Sequence, residues 1–126
     1  MTNYNLEEDA LLKLQINLSI IFIFTIIISI SLSYNSMMEC EGKNKFYSND
    51  DALNILRINR IIAFFVSLGF IYINIRDKNI KEKYNLDIEF ADIQIIASIV
   101  TLIATTLVLY VAFSGSGEIV AGENPN

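Results

Sequence analysis

IIAFFVSLGFIYINI, residues Ile61 to Ile75, is an uncharged apolar run bounded by Arg60 and Arg76. Two longer runs without a charged residue flank it, Leu14 to Met38 and Ile93 to Gly117. An uncharged apolar run of about 18 residues or more is typical of a helix that spans a membrane. Because both flanking runs exceed that length, we predict an all-α integral membrane protein, a three-helix transmembrane bundle with short polar extensions.

The middle run is short for a membrane span. Its 15 residues extend about 22 Å as a helix, against a hydrocarbon core of about 30 Å. Arginines at its ends compensate, because their methylene stems lie along lipid while the guanidinium groups reach the headgroups. The predicted interfacial anchors are Arg57, Arg60 and Arg76, with Tyr34, Tyr72 and Tyr110 as aromatic anchors.

The chain is expected to form one membrane domain. The predicted spans are residues 14–34, 58–75 and 93–113, and a flexible tail is expected at residues 114–126. A polar loop is predicted at residues 35–49, and a short connector at residues 76–86.

Capping patterns indicate where the helices begin. Asn5 followed by Glu8 predicts a first helix from near Leu6. A cleaved signal peptide is the alternative, but the acidic start and the long apolar run favour a retained span. For the later helices, Ser48 with Asp51 predicts a start near Asp50, and Asn85 or Asp87 is expected to cap the third helix.

Small and hydroxyl side chains form one stripe on each predicted helix. Such residues mark helix contacts in lipid because they allow close approach, although Ser and Thr also bond back to their own helix. Three stripes that meet would give a compact bundle. The candidate contact residues are Thr25, Ser29 and Ser33 on the first helix, Ala63 and Ser67 on the second, and Gln94, Ser98, Thr101 and Thr105 on the third.

Composition excludes several classes of function. The net charge of −5 argues against binding to nucleic acid. The chain has no histidine and one cysteine, Cys40, so a structural zinc site, an iron–sulfur cluster and an internal disulfide are excluded by counting. No acid, lysine, histidine or cysteine lies within the three cores. We therefore predict no enzyme, no catalytic, cofactor-binding or metal-binding residues, and no cofactor.

Basic residues bias the orientation only slightly. The third span has four basic residues in the preceding connector and none after it, whereas the first span favours the opposite orientation. We give more weight to the third span, which predicts the N-terminus inside, and the C-terminus and the Cys40 loop outside. A disulfide between two copies through Cys40 stays open as an alternative to an incidental thiol.

Two functional hypotheses follow. The first is a small membrane protein that acts through helix contacts, as an accessory subunit or a self-associating bundle, with lipid and a second membrane protein or copy as partners. The second is an oligomeric pore or lesion former, in which Gln94, Ser98, Thr101 and Thr105 line water. The chain resembles holins and small membrane toxins in size and three-span layout, but its acidic tail departs from the basic tail common among holins.

Overall fold

The computed structural model describes residues 2–114, which form three α-helices and no strand. Helix α1 spans Asn3–Cys40, α2 spans Asn49–Lys83 and α3 spans Ala91–Phe113. Each is long and apolar enough to cross a membrane. The prediction of three apolar helices is therefore confirmed for the described residues. Of the predicted tail, only Ser114 lies within them.

Helix α1 is longer at both ends than the sequence predicted. Thr2 is its N-cap and accepts a hydrogen bond from the Asn5 amide at 3.1 Å, so the Asn5 capping box is wrong. The helix continues to Cys40 because no breaker occurs before Gly42, whose φ of 72° suits glycine. Residues 35–40 of the predicted loop are thus helical.

The start of α2 is confirmed, and its end is not where the sequence placed it. Ser48 caps the helix by accepting a hydrogen bond from the Asp51 amide at 3.1 Å. The predicted connector at residues 76–86 is wrong for residues 76–83, because α2 continues to Lys83. Ion pairs one turn apart, such as Lys81 with Asp77 at 3.0 Å, support this last part of the helix.

The predicted cap of α3 is also wrong. Asn85 has a φ of 57° and follows the end of α2, while the Asp87 carboxylate accepts a hydrogen bond from the Glu89 amide at 2.9 Å within the connector. Helix α3 begins at Ala91 without a side-chain cap. Both residues therefore shape the turn between the helices instead.

Helix α2 lies between the other two helices. It packs along both α1 and α3, whereas the backbones of α1 and α3 do not approach each other, and Leu32 of α1 and Ala112 of α3 share one buried cluster with Leu56 of α2. Gly69 allows a close approach to α1, because a Cβ atom there would lie 2.5 Å from Cδ1 of Leu18. The expected arrangement, in which three stripes meet, therefore does not form, and one side of α2 stays open between α1 and α3.

Candidate functional site

A buried amide on α2 binds α1. The Asn59 side chain is 1% exposed, and its Nδ2 donates to the Thr25 carbonyl at 3.2 Å and to Ser29 Oγ at 3.0 Å. These partners lie near the middle of the uncharged run of α1. Asn59 thus fixes the register of α1 against α2 through polar groups surrounded by apolar side chains.

A second amide on α2 binds α3. Asn74 Nδ2 donates to the Gln94 carbonyl at 3.3 Å and also to Ser98 Oγ. At the other end of the contact, Arg57 Nε donates to the Ala112 carbonyl at 3.0 Å. The Arg57 guanidinium also lies 5.2 Å from the centre of the Phe113 ring. The two ends of α3 are therefore attached to α2 by different polar groups.

The open side of α2 forms a groove between α1 and α3, which we call the α1–α3 groove. It encloses about 660 Å³, with α2 as its floor. Along α1 it extends from Phe22 to Met37, a distance of about 22 Å along a helix. Its lining is mostly apolar, and its main polar side chains are Thr25, Ser29, Ser33, Tyr34, Asn59, Arg60 and Thr105.

Two polar groups at the floor of the α1–α3 groove lack a partner. Arg60 is half-buried and forms no ion pair within residues 2–114. The Oδ1 atom of Asn59 is buried and accepts no hydrogen bond from the described chain. Unpaired polar groups among apolar side chains are costly. Because Asn59 Oδ1 is buried, Arg60 is the one of these two groups that an occupant of the groove can reach, and it favours negative charge.

The candidate contact residues of α1 and α2 lie at or beside the helix interfaces. Thr25, Ala63 and Ser67 are buried, Ser29 is half-buried, and Ser33 is exposed in the α1–α3 groove. Thr25 and Ser67 donate their hydroxyl groups to carbonyls of their own helices. The side chains of these two residues therefore contribute their small size to the contact, while the cross-helix bond at Thr25 is accepted by its main-chain carbonyl.

The stripe on α3 is divided between two faces. Ser98 is buried and Thr105 is half-buried, whereas Gln94 and Thr101 are exposed. Ala97, one turn from both exposed residues, is exposed as well. Gln94, Ala97 and Thr101 therefore form an exposed row of polar or small side chains, which we call the α3 row.

The predicted anchors occupy different environments. Arg57 is bound to α3 and Arg60 faces the α1–α3 groove, while Arg76 NH2 lies 3.9 Å from a carboxylate oxygen of Glu7. Among the tyrosines, Tyr34 stacks on Phe46 with ring centres 5.7 Å apart. Tyr72 and Tyr110 are exposed.

Charged residues gather where the N-terminal end of α1 meets the C-terminal end of α2. Lys83 Nζ donates to a Glu7 carboxylate oxygen at 3.1 Å, and this bond lowers the pKa of Glu7. Glu8 behaves oppositely, because burial, followed by a hydrogen bond with Asp77, raises its pKa. The pKa values of these adjacent acids in α1 are thus shifted in opposite directions from that of an ordinary glutamate.

Nothing in residues 2–114 groups three or more acidic, cysteine or histidine side chains in a way that could hold a metal ion. Cys40 is exposed at the end of α1. Helical spacing puts Asn59 and Asn74 on the same side of α2 as Ala63 and Ser67, but the candidate contact residues did not include these two amides, which make polar contacts of α2 to its two neighbours. Their signal was an amide within a strongly apolar helix, where polar side chains seek partners.

Comparison of the chain with protein-family models, with curated proteins and with solved structures gave no match.

Proposed function

We propose that this chain is a small multi-pass membrane protein that acts through helix contacts, as an accessory subunit or by self-association. We infer the position of the bilayer along the bundle from the two arginines that bound the apolar part of α2. Arg57 and Arg76 are separated by about 28 Å along the helix, close to the hydrocarbon thickness of about 30 Å. Most large apolar residues of α1 and α3 are exposed, as is expected where lipid or another apolar helix covers them.

The α3 row is the observation that carries the proposal. In α3 only Ala91, Ser98 and Ala112 are buried, so most of the helix is free to meet a partner. Ala97 and Thr101 are small enough to let a second backbone approach, and an exposed glutamine amide can bond across helices. The row therefore combines the two features that favour association in lipid.

A pore is the weaker hypothesis. It requires Ser98 and Thr105 to line water together with Gln94 and Thr101. Ser98 instead accepts a hydrogen bond from Asn74 and is buried against α2. Lining a pore with all four would require α3 to leave this contact, so we do not propose that function.

The test is association in lipid vesicles of chains labelled on Cys40 with a donor or an acceptor fluorophore. We expect energy transfer between copies, or between this chain and a co-purified membrane protein. Ala97→Leu should weaken the association about threefold or more, because it separates the backbones. A monodisperse monomer without a partner would contradict the proposal.

Ile103→Phe is the matched control. Ile103 is 54% exposed and lies about 120° around α3 from Ala97, so it adds bulk on a different face. Equal effects of the two substitutions would mean that the α3 row is not the contact.

We further propose that the N-terminus lies inside and the Cys40 loop outside the cell. Four basic residues precede α3 and none follows within the chain, which favours this orientation. Because Cys40 is exposed, an impermeant maleimide should label it in intact cells. Labelling only after the membrane is broken would reverse the orientation.

A further inference from the structure

We propose that the α1–α3 groove binds one anionic phospholipid, with its phosphate on Arg60. This inference is independent of the proposed helix contacts. The α3 row at residues 94–101 lies toward the Arg76 end of α2, whereas the groove contacts α3 at Ala104, Thr105 and Val108. The two sites adjoin on the same side of α3, and their readouts differ: lipid retention reports on the groove, and association between chains reports on the row.

Charge identifies the occupant. Arg60 has no ion-pair partner within residues 2–114, although it lies within the level bracketed by Arg57 and Arg76. A second copy of this chain is poorly suited to supply the missing charge, because its uncharged runs 14–38, 61–75 and 93–117, which would lie at the depth of the bilayer, contain no acid. A lipid phosphate can, and the planar guanidinium binds it through two parallel hydrogen bonds.

The shape of the groove suits a lipid. A volume of about 660 Å³ lies within the range of about 300 to 1,000 Å³ of small-molecule sites. The deep end is apolar, with Phe22, Ile26 and Ile30, and can hold an acyl chain. The other end reaches Tyr34 and Met37, beside the loop that follows α1, where a headgroup meets water.

Polar groups between these ends match the phosphate and ester region of a lipid. The unpartnered Arg60 guanidinium can donate several hydrogen bonds, and the Ser33 hydroxyl is exposed in the groove. Within the described part of the chain, no acid lines the groove. Of the acids at this end of the molecule, Glu39 pairs with Lys45 at 3.1 Å and Glu41 with Lys43 at 3.4 Å, and Asp50 and Asp51 lie in the first turn of α2. Arg57 adds positive charge one turn away. The local field therefore favours a net negative headgroup over a zwitterionic one.

Native mass spectrometry of the purified full chain in mild detergent tests the proposal, with phosphatidylglycerol or phosphatidylethanolamine added in turn. We expect one phosphatidylglycerol to be retained per chain, in preference to phosphatidylethanolamine. Arg60→Gln should reduce this retention about tenfold or more, because a charged hydrogen-bonded contact is lost. Arg76→Gln removes the same charge outside the groove and should leave retention unchanged.

A second variant keeps the test valid if Arg60→Gln does not fold. Ala104→Phe fills the groove from an exposed position on α3 while leaving Arg60 in place, and it should also reduce retention. Equal retention of both lipids, or retention unaffected by Ala104→Phe and by a folded Arg60→Gln, would overturn the proposal.

The tail of the same chain is the rival source of negative charge, because residues 115–126 carry Glu118 and Glu123. Replacing both by glutamine should not change lipid retention. If the wild-type chain bound no lipid and this double variant did, the tail would be the occupant and the lipid proposal would be wrong. Loss of a bound protein, rather than of lipid, in Arg60→Gln would equally contradict it.

Discussion

The side-chain amide of Asn59 on α2 donates to the main-chain carbonyl of Thr25 on α1 at 3.2 Å. The Asn59 amide and the Thr25 carbonyl each have a fixed position along their helix. The hydrogen bond between them therefore specifies the register of α1 against α2. Apolar contacts between Leu, Ile and Phe side chains discriminate less between registers, because lipid offers similar surroundings.

Asn59→Leu is expected to weaken the contact between α1 and α2 by about 0.6 to about 1.7 kcal/mol, the range of interhelical hydrogen bonds in membranes. A cysteine in place of buried Ala52, in a Cys40→Ser background, reports the opening of this contact by its rate of alkylation on heating. Asn54→Leu, at an exposed position of the same helix, is the control and should not change the rate. An unchanged rate in Asn59→Leu would show that the amide contributes no stability.

Asn74→Leu is expected to loosen α3 without loosening α1, because its bonds are to Gln94 and Ser98. A cysteine in place of buried Ala91, in the Cys40→Ser background, reports on the α2–α3 contact. Alkylation at this position should accelerate in Asn74→Leu, while a cysteine in place of Leu11, which is buried in one cluster with Ile73 and Ile80 of α2, stays protected. Equal acceleration at both positions would mean that the three helices separate as one unit.

Glu8→Gln is expected to stabilise the folded chain near neutral pH. Burial and the Asp77 carboxylate raise the pKa of Glu8 in the fold, although Lys81 opposes this. A raised pKa means that the folded state holds the Glu8 proton more tightly than the unfolded state does. The contribution of Glu8 to stability is therefore largest at low pH and is lost as pH rises through the folded pKa. Glutamine mimics the protonated acid and can donate to Asp77 at every pH. The temperature of aggregation in detergent, followed by light scattering from about pH 4 to about pH 8, measures the effect.

Glu7→Gln is the matched control, and we expect it to change the stability near neutral pH in the opposite direction. The hydrogen bond from Lys83 lowers the pKa of Glu7, so its contribution is present above the ordinary value and is lost as pH falls. This substitution should therefore lower stability slightly near neutral pH. A change of stability in the same direction in both variants would be inconsistent with the opposite pKa shifts of Glu7 and Glu8.

Gly69→Leu is expected to loosen the contact of α1 with α2, because a Cβ atom would already lie 2.5 Å from Leu18 Cδ1, and the Leu18 side chain would have to move aside for the whole leucine. Inserting such bulk into a packed contact costs about 1 to 3 kcal/mol. Leu18→Ala makes room and should restore part of the loss when combined with Gly69→Leu. Alkylation of a cysteine at Ala52 again measures the contact, and additive losses in the double variant would argue against direct packing of these residues.

The amino-acid sequence alone predicts that residues 2–114 are all-helical, with three long apolar helices. Long runs such as residues 14–38 are mostly apolar and contain no charged residue, and their length suits a spanning helix. The Ser48 cap was predictable for a similar reason, because it depends on residues only three positions apart.

The helix ends at Cys40 and Lys83 were not predictable from polarity. Polar residues continue both helices, and the helices end only where Gly42 and Asn85 adopt positive φ. A change from apolar to polar residues marks where a helix leaves apolar surroundings, not where its backbone hydrogen bonds stop.

Tertiary structure alone decides which neighbour each polar residue meets. Asn59 and Asn74 are both amides on α2, yet one binds α1 and the other α3, because the position of each outer helix around α2 depends on packing between distant segments. The same packing keeps α1 and α3 apart and leaves Arg60 facing an open groove. Helical periodicity shows which residues share a face, but the partner of that face is specified only once the helices are assembled.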